Sequence, residues 1–165
     1  MTELYNRTSV SIITPTHNSS LFIKSTWESI INQSYYNWEW LIIDDNSTDS
    51  TKKIIQDIAK SDDRILYFDL VDSNGPGPAR NLGIEKSSGR FIAFLDADDR
   101  WLPNKLADQV DFMLSNKYVF TYSSYEIINE DGEYLRTFCP PKKLDYHDLL
   151  KTCDIGCLTV MYDKY

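Results

Sequence analysis

The stretch Phe91-Ile92-Ala93-Phe94-Leu95-Asp96-Ala97-Asp98-Asp99 decides how the chain is read. Its first five residues form a nearly continuous apolar run, the texture of a parallel strand that helices bury on both faces. The run then delivers three carboxylates at its tip. Working outward, apolar runs of similar texture lie upstream at residues 10–14, 38–44 and 65–70. Helix-like segments separate them. Residues 21–32 place Phe22, Ile23, Trp27, Ile30 and Ile31 on roughly one face with Ser19 or Ser20 as a cap, and residues 49–60 repeat the pattern with Ile54, Ile55 and Ile58. Beyond the quoted stretch, Pro103 suits the first turn of a helix whose Leu102, Leu106, Val110, Met113 and Leu114 follow a three-to-four spacing. Such alternation predicts an α/β fold with a mostly parallel central sheet flanked by helices.

After Lys117 the texture changes. A Tyr-rich run at 118–128, the turn residues Asn129, Glu130, Asp131 and Gly132, and a second extended run read as an antiparallel hairpin or meander. Residues 145–151 suit a short helix, and 157–162 a last strand with no evident closing element. The expected organisation is therefore an α/β part over residues 1–116 and a small antiparallel part over 117–165.

The composition narrows the function. A chain of 165 residues with 42% hydrophobic content supports one compact core. The net charge of −8, from 25 acidic against 17 basic residues, has the wrong sign for a general phosphate-backbone binder, so nucleic acid is not an expected partner. Cys139, Cys153 and Cys157 are an odd number without zinc-site spacing and read as incidental or buried thiols. No stretch approaches the roughly 20 apolar residues of a membrane span, and the amino terminus lacks a signal peptide's apolar centre, so a cytoplasmic protein is expected.

In an open α/β sheet ligands bind at the carboxyl ends of the strands. Those ends are unusually polar here: Pro15, Thr16, His17 and Asn18 after the first run, Asp44, Asp45, Asn46 and Ser47 after the second, residues 72–80 after the third, and Asp96, Ala97, Asp98 and Asp99 after the fourth. Carboxylates at a strand tip suit Mg²⁺ or Mn²⁺, which take oxygen ligands and are usually held by one or two carboxylates plus substrate phosphates. Alternation along an extended segment would point Asp96 and Asp98 the same way; a solvated acidic turn is the competing reading. Asp44 and Asp45 offer an acceptor for a base N–H or a helix cap, and one is expected to cap while the other reads a ligand. Gly75-Pro76-Gly77-Pro78-Ala79-Arg80 lets backbone approach a ligand and brings Arg80 to negative charge, or is an ordinary turn. His17 suits stacking on a base, whereas His147 reads as a surface residue.

Taken together, 11–18, 42–49, 77–83 and 94–99 resemble glycosyltransferase family two in order and spacing. The resemblance implies the GT-A fold and transfer of a sugar, with inversion, from a nucleotide-diphospho-sugar, expected to be a UDP-sugar. The implied acceptor is a saccharide or lipid-linked saccharide in bacterial cell-surface polysaccharide synthesis, with peripheral association of the full-length protein at the inner face of the membrane. By position, Pro15, His17, Asp45, Arg80 and Asp96 fall where the family binds the nucleotide, His17 replacing the commoner tyrosine. Asp96 and Asp98 match its Asp-x-Asp motif and would hold Mn²⁺ or Mg²⁺, Asp98 most directly. Relatives place the general base in a later acidic loop. It is therefore expected beyond Tyr165, the chain being truncated at its carboxyl end, and none of Asp148, Asp154 or Asp163 matches it.

Two other classes compete. A haloacid-dehalogenase-type phosphohydrolase also carries Asp-x-Asp at a strand end, but there the motif opens the fold instead of following three other strands; hydrolysis of a generic aryl phosphate would favour it. A non-catalytic nucleotide-sugar-binding module would bind donor without turning it over.

Overall fold

A computed structural model describes residues 2–70, 75–129 and 131–165. Of the residues read above, 72–74 in the third loop and Glu130 in the hairpin turn lie outside them. A short α1 (Thr2–Arg7) precedes the first strand. The four apolar runs form β1 (Val10–Thr16), β2 (Trp38–Asp44), β3 (Ile65–Asp69) and β4 (Phe91–Phe94), paired in parallel in the order β3-β2-β1-β4. Every residue of β1 is buried, including the polar Ser11, Thr14 and Thr16, so its sequence shows no strict apolar–polar alternation.

Between the strands lie α2 (Ile23–Ile31), α3 (Thr51–Ala59) and α4 (Pro76–Lys86), and α5 (Lys105–Asn116) follows β4. The larger core packs Val10, Ile12, Trp40 and Ile42 against Ile23 and Ile30 of α2, Ile55 of α3, and Leu106, Val110 and Met113 of α5. A smaller one packs Leu41 and Ile43 against Ala79 of α4. Neighbouring residues of β2 thus serve opposite faces, as the pleat requires. The chain builds outward from β1 to β2 to β3, then returns through α4 on the second face and enters β4 on the other side of β1. This reversal makes a switch point between β1 and β4, where an open α/β sheet holds its ligand.

Helix α4 lies very close to the sheet. A Cβ on Gly83 would sit 2.4 Å from Cγ2 of Ile13. Gly83→Ala is therefore expected to lower the urea midpoint, because overpacking at about 1–3 kcal/mol outweighs the roughly 1 kcal/mol that alanine contributes within a helix. An unchanged midpoint would show that α4 can move off β1.

The chain then forms β5 (Phe120–Thr121), β6 (Tyr125–Ile128), β7 (Tyr134–Phe138), α6 (Tyr146–Lys151), a 3₁₀ turn (Cys157–Thr159) and β8 (Met161–Asp163). Strands β6 and β7 make the expected antiparallel hairpin, and Asp145 caps α6 in a reciprocal capping box with Asp148. The last strand, read from sequence over 157–162, is confined to Met161–Asp163. It inserts between β4 and β5, antiparallel to both, so strands from residues 117–165 complete a six-stranded sheet begun by residues 1–116. It is short because the amides of Thr159 and Val160 bond back to the carbonyls of Gly156 and Cys157, curling the first half into the 3₁₀ turn.

Other local readings also need correction. Phe22 is exposed at the N-cap of α2 instead of on its buried face, and neither Ser19 nor Ser20 caps with its side chain. The main-chain carbonyl of Ser19 takes the amides of Phe22 and Ile23. Pro103 precedes α5 instead of starting it, and Leu102 is exposed. The carbonyls of both residues are bound by Gln33 Nε2 and the Ser34 amide, which holds this segment out of the helix.

Candidate functional site

At the carboxyl ends of β1 and β2 the two loops are laced together. Asn18 takes a left-handed φ of 50°, which asparagine tolerates, and its Oδ1 accepts the amides of Thr48 and Asp49. The two aspartates divide their roles. Asp44 accepts from the Ser47 hydroxyl and amide and from the Tyr67 hydroxyl, so it ties the turn to β3. Asp45, only 7% exposed, accepts the Gly75 amide on Oδ2 at 3.0 Å, while its Oδ1 is buried with no hydrogen-bond partner among the described residues. A buried carboxylate oxygen without a donor is costly, and this one can accept one further N–H or O–H.

His17 Nδ1 lies 2.6 Å from the Asp45 carbonyl. A carbonyl only accepts, so this nitrogen carries the proton, and Nε2, 3.1 Å from Asn18 Nδ2, accepts. Neighbouring Pro15 is buried, whereas His17 is exposed at the mouth.

Across the switch point, Arg80 on α4 donates from its Nη2 to Asp96 Oδ1 at 2.6 Å. Its Nε is buried without a partner among the described residues. An acceptor on Asp45 and a donor on Arg80, both without partners among the described residues, thus lie on the loop after β2 and on α4, which the Asp45–Gly75 bond joins at the N-cap of the helix. Strand β4 ends at Phe94, so strand alternation does not govern Asp96 and Asp98, contrary to the expectation above. Residues 96–99 form a turn closed by the Asp99 amide on the Asp96 carbonyl at 3.1 Å. In that turn Asp96 is half-buried against Arg80, Asp98 is exposed, and the Asp99 carboxyl is pushed up to about 6 by burial, then by the charges of Asp98 and Asp96. Burial also raises the thiol of Cys157, with Asp96 and Asp99 adding to the shift and Arg80 opposing it, which places the 3₁₀ turn beside the same carboxylates.

The acidic turn fits a hard divalent cation in its donor chemistry. Three oxygen-bearing side chains crowd one turn against a single guanidinium, and one of them, Asp98, faces solvent. The described residues contain no group of three or more His, Cys, Asp or Glu that could by itself hold a metal ion. A cation completed by substrate phosphates needs only one or two carboxylates from the protein.

The later carboxylates all have structural partners. Asp163 accepts two bonds from Arg90, Asp148 belongs to the capping box of α6, and Asp154 accepts from the Thr152 hydroxyl. His147 is exposed on α6 beside Tyr146. Sequence reasoning passed over the lacing by Asn18, the approach of Cys157 and the contact that Thr26 makes with the acidic turn. A left-handed asparagine just past a strand is the one recognisable signal among these.

Residues 11–162 match the profile of a protein family described as Glycosyl transferase family 2. The putative teichuronic acid biosynthesis glycosyltransferase TuaG of Bacillus subtilis (strain 168) is 42% identical over 156 residues, covering 94% of this chain and 62% of that protein. The UDP-Glc:alpha-D-GlcNAc-diphosphoundecaprenol beta-1,3-glucosyltransferase WfgD of Escherichia coli is 44% identical over 155 residues, covering 94% of this chain and 60% of that protein. The chain thus spans about three fifths of the length of these relatives. The crystal structure of S. aureus TarS 1–349 in complex with UDP-GlcNAc superposes with a TM-score of 0.76 at 23% identity, covering 94% of this chain and 45% of that one. That likeness bears on fold alone, and with the strand order it makes the architecture the GT-A type expected above.

Proposed function

The chain belongs to glycosyl transferase family 2, and from that premise we propose that it supplies the donor site of an inverting enzyme. In this reading the enzyme transfers a sugar from a UDP-sugar to a lipid-linked saccharide during assembly of a cell-surface polysaccharide, with Mn²⁺ or Mg²⁺ as cofactor. One observation carries it: Asp45 Oδ1, buried at a strand end without a hydrogen-bond partner among the described residues. A carboxylate oxygen can only accept. Uracil and guanine present a ring N–H on their pairing edge, whereas cytosine and adenine present a bare ring nitrogen there. The name of WfgD, with its UDP-glucose donor and diphosphoundecaprenol-linked acceptor, favours uracil and a lipid-linked acceptor, and that of TuaG a surface polymer.

Each side chain then has a task. Pro15 and His17 flank the base, the imidazole held in place by its Nδ1–H on the Asp45 carbonyl. Arg80 turns its unused Nε–H to the anionic donor while Asp96 positions the guanidinium. Asp98 and Asp96 would hold the cation. When bound, Mn²⁺ or Mg²⁺ neutralises charge developing on the departing diphosphate. With a lipid-linked acceptor the full-length protein would work at the inner face of the membrane by peripheral association. No helix among the described residues is long and apolar enough to cross one.

Titration calorimetry with UDP, GDP, CDP and ADP in the presence of Mn²⁺ tests the reading. UDP is expected to bind at least about tenfold more tightly than CDP or ADP, the worth of one well-placed hydrogen bond to a charged group. Equal affinities would overturn base reading by Asp45, and rapid hydrolysis of an aryl phosphate without any nucleotide would point to a phosphohydrolase.

A further inference from the structure

Residues 95–104 link β4 to α5, and this segment with the start of α5 is strapped to α2 at two places. At the far end, Gln33 just beyond α2 donates Nε2 to the Leu102 carbonyl at 2.8 Å and accepts the Leu106 amide at 3.0 Å, while the Ser34 amide bonds the Pro103 carbonyl at 2.8 Å. At the near end a single side chain makes the attachment. Thr26, completely buried within α2, directs its hydroxyl to the Ala97 carbonyl at 2.8 Å and the Asp99 carbonyl at 3.0 Å. Those two carbonyls flank Asp98.

Threonine is a modest helix former, and inside a helix its hydroxyl commonly bonds the preceding turn. Here it reaches instead to a turn distant in sequence. One hydroxyl proton shared between two carbonyls makes a three-centre bond, and it fixes the main chain on both sides of the exposed carboxylate.

We propose that Thr26 is a positioning residue for the acidic turn, setting the placement of Asp98 and Asp96 for a divalent cation. The proposal rests on the donor-site reading above. Mg²⁺ demands near-octahedral coordination at about 2.0–2.1 Å, so a turn free to shift by a few tenths of an ångström holds it less tightly. Gln33 and Ser34 keep the far end in place without Thr26, so its loss loosens the carboxylates and leaves the loop that carries Asp45 intact.

The test compares Thr26→Val, which keeps the shape and removes the hydroxyl, with Thr26→Ser, which keeps the hydroxyl. UDP is titrated into each protein with Mn²⁺ and with chelator, and metal-free melting is recorded alongside. Thr26→Val is expected to reduce the Mn²⁺-dependent gain in UDP affinity about tenfold while chelator-treated affinity stays within about twofold, and Thr26→Ser is expected to restore the gain. Thr26→Ala replaces the valine variant, with the same expectation, if valine prevents folding. A full Mn²⁺-dependent gain in the variant lacking the hydroxyl would overturn the proposal, as would equal losses in that variant and Thr26→Ser. If the wild-type protein shows no Mn²⁺-dependent gain, the metal reading of the turn fails and the role of Thr26 falls with it. A gain in the wild type that survives loss of the hydroxyl removes Thr26 alone.

Discussion

Asp45→Asn is expected to weaken UDP binding roughly ten- to a hundredfold, the equivalent of about 1.5–3 kcal/mol for a hydrogen bond to a charged group, with little change in thermal midpoint. The two carboxylate oxygens differ: Oδ2 accepts the Gly75 amide, and Oδ1 has no hydrogen-bond partner among the described residues. An asparagine can keep the Gly75 bond with its carbonyl oxygen. It must then turn its NH₂ to the place Oδ1 occupied, where it meets the N–H of uracil as donor against donor. Binding suffers while the loop stays anchored. The asparagine should also erase the preference for UDP over CDP, because cytosine's bare ring nitrogen can accept from the new NH₂. Calorimetry with both nucleotides, beside a melting curve, decides it. A variant that melts early and still binds UDP normally would make Asp45 a structural residue only.

Asp98→Ala is expected to abolish the Mn²⁺-dependent part of donor binding, so that UDP affinities with Mn²⁺ and with chelator become equal. Asp98 is exposed at the tip of the turn, whereas Asp96 is engaged by Arg80 and Asp99 is raised by burial, leaving Asp98 as the carboxylate most available to a cation. Without a cation, an anionic diphosphate would approach several carboxylates, of which Asp96 is paired with Arg80. Removing Asp98 also removes one charge that raises the Asp99 carboxyl, so the variant should be no less stable in chelator than the wild type. Retention of the full Mn²⁺ gain by Asp98→Ala would exclude it as a ligand.

The parallel strands are readable from sequence because burial on both faces leaves runs such as Trp40-Leu41-Ile42-Ile43 almost without polar residues. Helix starts were less legible. Pro103 resembles a first-turn proline, yet its carbonyl is claimed by Ser34, a residue far away in the chain. The same limit applies within the site. Asp44 and Asp45 announce themselves as a pair, but which one ties the turn depends on Tyr67 from β3 and on the Gly75 amide, and neither contact leaves a mark near residue 45. Thr26 looks like any small polar residue on a helix until β4 brings Ala97 and Asp99 over it. Motifs that lie at strand ends could be located in advance, whereas the bonds that orient them arise from elements that meet only after folding.

The insertion of β8 between β4 and β5 bears on the order in which a ribosome can deliver this sheet. Phe91 pairs with Asp163, and Phe120 with Tyr162. The parallel strands β1 to β4 emerge first and can associate among themselves, but on the nascent chain Phe91–Phe94 has an open edge and Phe120–Thr121 has no sheet neighbour until the residues of β8 leave the exit tunnel. At about 5–20 residues per second that interval lasts several seconds, long compared with local hairpin and helix formation. During translation, then, the half of the sheet that carries Asp45 can assemble early, while the seam beside the acidic turn closes only with the last strand.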